Sequence, residues 1–149
     1  MEVFVSAYSH KNGILKDLEE DYNLLIDDIF FKRNCEYNNN IGYKKSLLYT
    51  NKELNFDIFE IVWYPHSETL IHDHADNGCL LRLMKGSLVE IKYNNDLIPK
   101  NKIYLQKENS SYIDNHIGLH KIQNPNDEIA ISYHLYSPSG YKTKYYDER

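Results

Sequence analysis

Tyr64-Pro65-His66-Ser67-Glu68-Thr69-Leu70-Ile71-His72-Asp73-His74-Ala75-Asp76-Asn77-Gly78-Cys79-Leu80-Leu81-Arg82-Leu83-Met84-Lys85-Gly86 holds the most unusual chemistry of this 149-residue chain. His72 and His74 stand two apart. Alternate residues of a β-strand point to one face, so the spacing predicts two imidazoles that grip one ion while Asp73 points away. Asn77-Gly78 tolerates the positive φ angles of a two-residue hairpin loop. On that reading Asp76 pairs with Cys79, and Cys79 shares the face of His72 and His74. Residues 71–76 and 79–84 are then the arms of one hairpin, ended by Gly86.

Working outward, the chain keeps offering short strands. Residues 128–136 place Ser132, His134 and Tyr136 on one face and Ile131, Tyr133 and Leu135 on the other. Residues 117–122 bring His120 as a third imidazole, and His116, four positions earlier, falls on the same face by alternation. Residues 87–93 put Val89, Ile91 and Tyr93 on one side and Glu90 and Lys92 on the other. Residues 46–50, 56–63, 102–106 and 111–113 complete the set, separated by turn residues such as Asn94-Asn95-Asp96.

Only one early segment has helical period. Ile14, Leu18, Tyr22, Leu25, Ile26, Ile29 and Phe30 recur at three- and four-residue steps and predict an amphipathic helix over 14–32, opened near Asn12-Gly13. Asp17, Glu19, Glu20, Asp21, Asp27 and Asp28 read as its solvated face. A loop follows at Asn38-Asn39-Asn40 and Gly42. The expectation is a mainly β fold, a small β-barrel or jelly roll, with residues 1–42 as a helical segment packed outside it and residues 1–149 as one domain.

Composition supports an ordinary globular chain: 42% hydrophobic, 26% charged, net charge −5. At this length about 70% of the extended-chain surface is buried on folding, without staples. The negative charge and the lack of a dense Lys/Arg run argue against nucleic acid or an anionic membrane as partner. No stretch approaches the ~20 apolar residues of a membrane span, and the first residues show no basic segment ahead of a long apolar run. A cytoplasmic monomer acting on a small molecule is expected. Two cysteines, Cys35 and Cys79, make no disulfide framework.

His-Asp-His at 72–74 with Cys79 beyond it, Gly-Leu-His at 118–120 and His-Leu-Tyr-Ser-Pro at 134–138 together resemble the cysteine dioxygenase family of the cupin superfamily. The resemblance covers about residues 43–147. It implies a cupin barrel in which His72, His74 and His120 hold Fe(II), with His116, His10 and His66 outside the ligand set. Cys79 stands where many cupins place a glutamate ligand. It implies a thioether between Cys79 and Tyr136, with His134 and Ser132 orienting the phenol. It implies addition of both atoms of O₂ to the sulfur of L-cysteine, giving the sulfinic acid.

Three imidazoles suit that chemistry, because they leave the ion its full double charge and welcome a thiolate. One departure concerns the substrate. Tyr49 matches the family, but two residues on the family's cysteine-selective members carry a carboxylate-binding arginine and this chain has Asn51. An amide does not replace a bidentate guanidinium, so Tyr49 and Asn51 are the candidate substrate-binding pair and a different small thiol is an alternative substrate. Lys52 is a candidate replacement cation. Two other classes compete: a cupin that binds metal or a small molecule without turnover, and a metal-independent isomerase or epimerase of similar shape.

Overall fold

The computed structural model of the protein describes residues 1–33, 37 and 40–147. Within them the chain runs α1 (Glu2–His10), a 3-10 turn (Leu15–Leu18) and α2 (Glu19–Lys32). Ten strands follow: β1 (Tyr43–Asn51), β2 (Phe56–Trp63), β3 (Ile71–His72), β4 (Gly78–Lys85), β5 (Leu88–Tyr93), β6 (Pro99–Leu105), β7 (Ser110–Ile113), β8 (Leu119–Gln123), β9 (Ala130–Ser137) and β10 (Tyr145–Tyr146). They form two five-stranded sheets, ordered β1-β2-β9-β4-β7 and β10-β3-β8-β5-β6, and each ladder is antiparallel. This is the jelly roll expected from many short alternating strands.

Alternation on the first sheet builds two layers at once. Phe56 and Ile58 of β2, Leu80 and Met84 of β4, and Ile131, Tyr133 and Leu135 of β9 face outward into the helices. There they meet Phe4 and Tyr8 of α1, Leu15 and Leu18 of the turn, and Tyr22, Leu25 and Ile26 of α2. The helical segment therefore packs on the outside of the barrel, as its apolar period implies. Ile14 is the exception, 48% exposed at the entry to the 3-10 turn. The acidic face is only partly solvated, since Asp27 accepts from Arg82 at 2.8 Å and Glu19 from the Ser110 hydroxyl.

The opposite faces of the same strands point inward. Ile61 and Trp63, Leu81 and Leu83, and Ala130 meet Leu88, Leu105 and Ile122 of the second sheet, filling one end of the interior. Two glycines permit close approaches in this frame. A side chain at Gly118, with φ at +138°, would come within 2.3 Å of the Tyr93 carbonyl oxygen, and Gly86, at φ +76°, lies against Ala130.

The expected hairpin over 71–84 is not formed. β3 and β4 belong to different sheets, and residues 73–77 carry the chain from one to the other. The turn is centred on Asp76-Asn77 rather than on Asn77-Gly78, because the Gly78 amide donates back to the Ala75 carbonyl at 2.8 Å. Gly78 is thereby the fourth residue of the turn and the first of β4, where it pairs with Ser137. β8 likewise begins at Leu119, leaving His116 in the preceding turn. Two elements carried no readable period: α1 buries only Phe4 and Tyr8, and β10 is two residues long. Cys35, with Asn38 and Asn39 of the expected loop, lies outside the described residues.

Candidate metal centre

His72 and His120 are Cα partners across the β3–β8 ladder, so their side chains leave the second sheet side by side. His74 is not on a strand. Its backbone is held by the Asn115 side chain, whose Oδ1 accepts from the His74 amide at 2.9 Å and whose Nδ2 donates to the His74 carbonyl at 3.0 Å. The result brings one nitrogen from each of His72, His74 and His120 within 4.8 Å of the others.

Hydrogen bonds behind the rings fix which nitrogen faces the centre. His72 Nδ1 donates to the Leu70 carbonyl at 2.8 Å, and His120 Nδ1 lies 2.7 Å from Glu90 Oε2. Both Nε2 lone pairs are then turned on one another at 2.9 Å. Two acceptors at that distance repel unless a cation lies between them. About 3 Å is also the separation of two imidazole nitrogens bound at right angles to one ion at ~2.1 Å. His74 adds a second orphan, since neither of its buried ring nitrogens has a hydrogen-bond partner among the described residues. The three residues thus fit a divalent cation.

The electrostatics agree. Burial pushes the His72, His74 and His120 rings below the ordinary histidine range, so they present neutral lone pairs. Glu90 is fully buried and accepts from Ser111 Oγ at 2.9 Å as well as from His120. Burial raises its own pKa. A carboxylate behind a ligating imidazole fixes the tautomer and increases its basicity. Glu90 was not singled out from the sequence, yet its signal was there: it shares the polar face of residues 87–93, and that face points inward.

The first sheet contributes the opposite wall. Cys79 and Tyr136 are Cα partners on β4 and β9, and both side chains occupy inward positions. Trp63 Nε1 donates to Ser132 Oγ at 2.8 Å, Ser132 Oγ lies 2.7 Å from His134 Nε2, and the His134 and Tyr136 rings stack at 6.1 Å. Burial lowers the His134 pKa and raises those of Tyr136 and Cys79. The wall is therefore neutral: a phenol, a thiol and an unprotonated imidazole. At its rim Tyr145 sets its ring 5.7 Å from that of His72, and the backbone ahead of it is tied to Asp73, which accepts from Tyr141 Oη and the Lys144 amide.

Tyr49 and Asn51 are not brought to this centre. A register shift between Leu47 and Tyr49 turns the end of β1 over, so that Tyr49 pairs with Ile58 and Asn51 with Phe56, both outward-facing. The Tyr49 ring lies 5.8 Å from that of Phe56. The Asn51 amide is spent on the adjoining turn, where Oδ1 accepts from the Leu54 amide at 2.8 Å and Nδ2 donates to Tyr49 Oη at 3.3 Å. Lys52 is exposed at the same turn. His116 is exposed, His66 faces Asp127 at 2.7 Å, and His10 is exposed on α1, so none of the three reaches the centre. Asn124 is structural, donating to the Trp63 and Glu128 carbonyls.

Comparison with known proteins gives this geometry a family. Residues 35–149 match the family model described as cysteine dioxygenase type I. Cysteine dioxygenase type 1 of Rattus norvegicus is 35% identical over 101 residues, covering 63% of this chain and 50% of the relative. The chain spans about half the length of the curated relatives it matches. Among solved structures, a double-stranded β-helix domain protein from Klebsiella pneumoniae aligns with TM-score 0.60 at 13% identity, over 75% of this chain and 90% of that one. Peruvianin-I, a cysteine peptidase from Thevetia peruviana latex, aligns with TM-score 0.61 at 17% identity, over 78% and 74%. Those two likenesses, and that to a cupin domain from Enterobacter cloacae, concern the fold alone. The family match and the convergence of His72, His74 and His120 agree, and the chain belongs to the cysteine dioxygenase type I family.

Proposed function

We propose that the protein is an iron-dependent thiol dioxygenase that adds both atoms of O₂ to the sulfur of L-cysteine and yields the sulfinic acid. The observation that carries this is the placement of three neutral imidazoles opposite a neutral phenol and thiol. His72, His74 and His120 hold the ion. Fe(II) bound there supplies the binding of the substrate thiolate and the activation of O₂.

The chain's own groups do the rest. Glu90 and the Leu70 carbonyl keep the His120 and His72 lone pairs aimed inward. Tyr136, its pKa raised by burial, stays a phenol and is a proton donor toward oxygen at neutral pH. Ser132 and Trp63 fix the His134 ring on which Tyr136 stacks, so the phenol is held by packing and by a hydrogen-bond chain. Cys79, kept as a thiol by burial, would not compete with the substrate thiolate for a cation. Trp63, Leu81 and Leu83 close the floor against water.

Cys79 and Tyr136, Cα partners on β4 and β9, are the pair we assign to a thioether. Bond formation between Sγ and the ring carbon next to the phenol oxygen removes one hydrogen from each, two electrons in all, and O₂ is the acceptor. The test is oxygen uptake by the iron-loaded protein with L-cysteine, with sulfinate quantified by mass spectrometry and a Cys79–Tyr136 peptide two hydrogens lighter sought in the digest. Uptake that needs both iron and thiol supports the reading. A protein that binds metal but makes no sulfinate from any small thiol is the non-catalytic cupin, and one that takes up no oxygen yet isomerises a small molecule after chelation belongs to the isomerase class.

A further inference from the structure

With Asn51 turned outward, the site still has a cation, six positions earlier on the same strand. Lys45 pairs with Ile61 and so lies on the inward face of β1, ahead of the register shift that turns Tyr49 and Asn51 away. Its Nζ is 4.6 Å from the centre of the Tyr136 ring and 4.3 Å from that of Phe59, two rings whose centres are 5.5 Å apart. The ammonium is therefore held beside the same phenol that borders Cys79. The residue is exposed on the edge strand of its sheet, and desolvation of its ammonium against the two rings lowers the pKa, against the pull of Cys79 and Asp57. After burial, its charge is a further cause of the lowered His72 and His134 pKa values.

Among the described residues no ion pair includes Lys45. Asp57, the carboxylate whose charge reaches it, already accepts from Thr50 Oγ1 at 2.8 Å, Ser139 Oγ at 2.8 Å and the Gly140 amide at 2.7 Å. Lys92, the other inward lysine, is the Cα partner of His120 on the second sheet, whereas Lys45 is on the first sheet with Tyr136. An ammonium held only over aromatic faces keeps its N–H donors free for an anion.

We propose that Lys45 is the anchor for the acidic group of the substrate, its ammonium receiving the carboxylate of a small anionic thiol beside Tyr136. This rests on the thiol-binding reading of the site and adds to it the residue of this chain that receives the substrate's carboxylate. A lysine is a point charge without the bidentate fork of arginine, so carboxylate position is fixed less tightly here than a guanidinium would fix it.

The test is anaerobic calorimetry of the iron-loaded protein with L-cysteine and with 2-aminoethanethiol, which lacks the carboxylate, on the wild type, Lys45→Met and Lys45→Arg. Methionine keeps an unbranched stem over the two rings and removes the charge. The proposal expects the wild type to prefer L-cysteine, Lys45→Met to weaken L-cysteine roughly 10- to 100-fold and erase that preference, and Lys45→Arg to retain it. Unchanged L-cysteine binding in Lys45→Met, equal losses for both thiols, or no preference in the wild type overturns the anchor while leaving the thiol site standing. Failure of both thiols to bind the wild type overturns the thiol site and the anchor together.

Discussion

The two ends of the barrel interior are lined by the same strands and have opposite chemistry. On β4 the inward positions run from Cys79 to Leu81 and Leu83; on β8, from His120 to Ile122; on β5, from Glu90 back to Leu88. One end is a packed apolar floor around Trp63. The other holds four buried imidazoles, a buried carboxylate and a thiol. Alternation decides which face a side chain takes, and position along the strand decides what that face does. The floor keeps water out and supplies stability, while the polar end leaves His74 unpartnered and two lone pairs opposed.

If the ends divide the labour in this way, substitutions separate them. The largest effect is expected at His74→Ala, which removes one of the three proposed ligands: iron is held weakly or not at all and thiol-dependent oxygen uptake is lost, as read by metal analysis and an oxygen electrode. Leu83→Ala, at the floor, is expected to cost about 2 to 5 kcal/mol in denaturant unfolding while the iron affinity of the folded protein stays near that of the wild type. A floor variant that lost its metal as readily as His74→Ala would erase the distinction. Glu90→Gln keeps the shape behind His120 and weakens the carboxylate, so metal affinity is expected to fall roughly 10- to 100-fold, measured by competition with a chelator.

The smallest effect is a pH dependence confined to the polar end. Burial holds the folded pKa values of His72, His74, His120 and His134 below their ordinary 6.5. Below that value the unfolded chain binds more protons than the folded one. The stability of the metal-free protein is therefore full above about pH 6.5 and declines as pH falls through that value, in thermal melts compared across pH 7.5 to 5.5. Bound metal removes most of this slope, because ligated rings do not take up protons. A metal-free protein equally stable at both pH values would contradict the neutral burial of these rings.

Much of this was legible in the sequence. The bounds of β2 follow from its aromatic and β-branched run, and the alternation of Ser132, His134 and Tyr136 against Ile131, Tyr133 and Leu135 is the alternation that β9 shows. The three histidines whose ring nitrogens converge are those that the His-Asp-His and Gly-Leu-His motifs point to. What was not legible depends on partners that sequence does not display. Whether the polar face of β5 points inward is set by its pairing with β8, so Glu90 reads as one more surface carboxylate until that pairing is known. The shift after Leu47 is visible only against β2, and it turns Asn51 outward while Lys45, which precedes it, keeps the inward face. The short arm after His72 reads as a hairpin because Asn77-Gly78 is strong turn chemistry, and nothing local says that the turn crosses between sheets.

The central claim is that His72, His74 and His120 share one ion. X-ray absorption at the iron edge, on protein reconstituted anaerobically with one equivalent of Fe(II) and compared with His74→Ala, tests it most directly. The account predicts one iron per chain with three imidazole nitrogens in its immediate surroundings, and one imidazole fewer, or no bound iron, in the variant. Iron bound equally well and with the same spectrum in His74→Ala would contradict it.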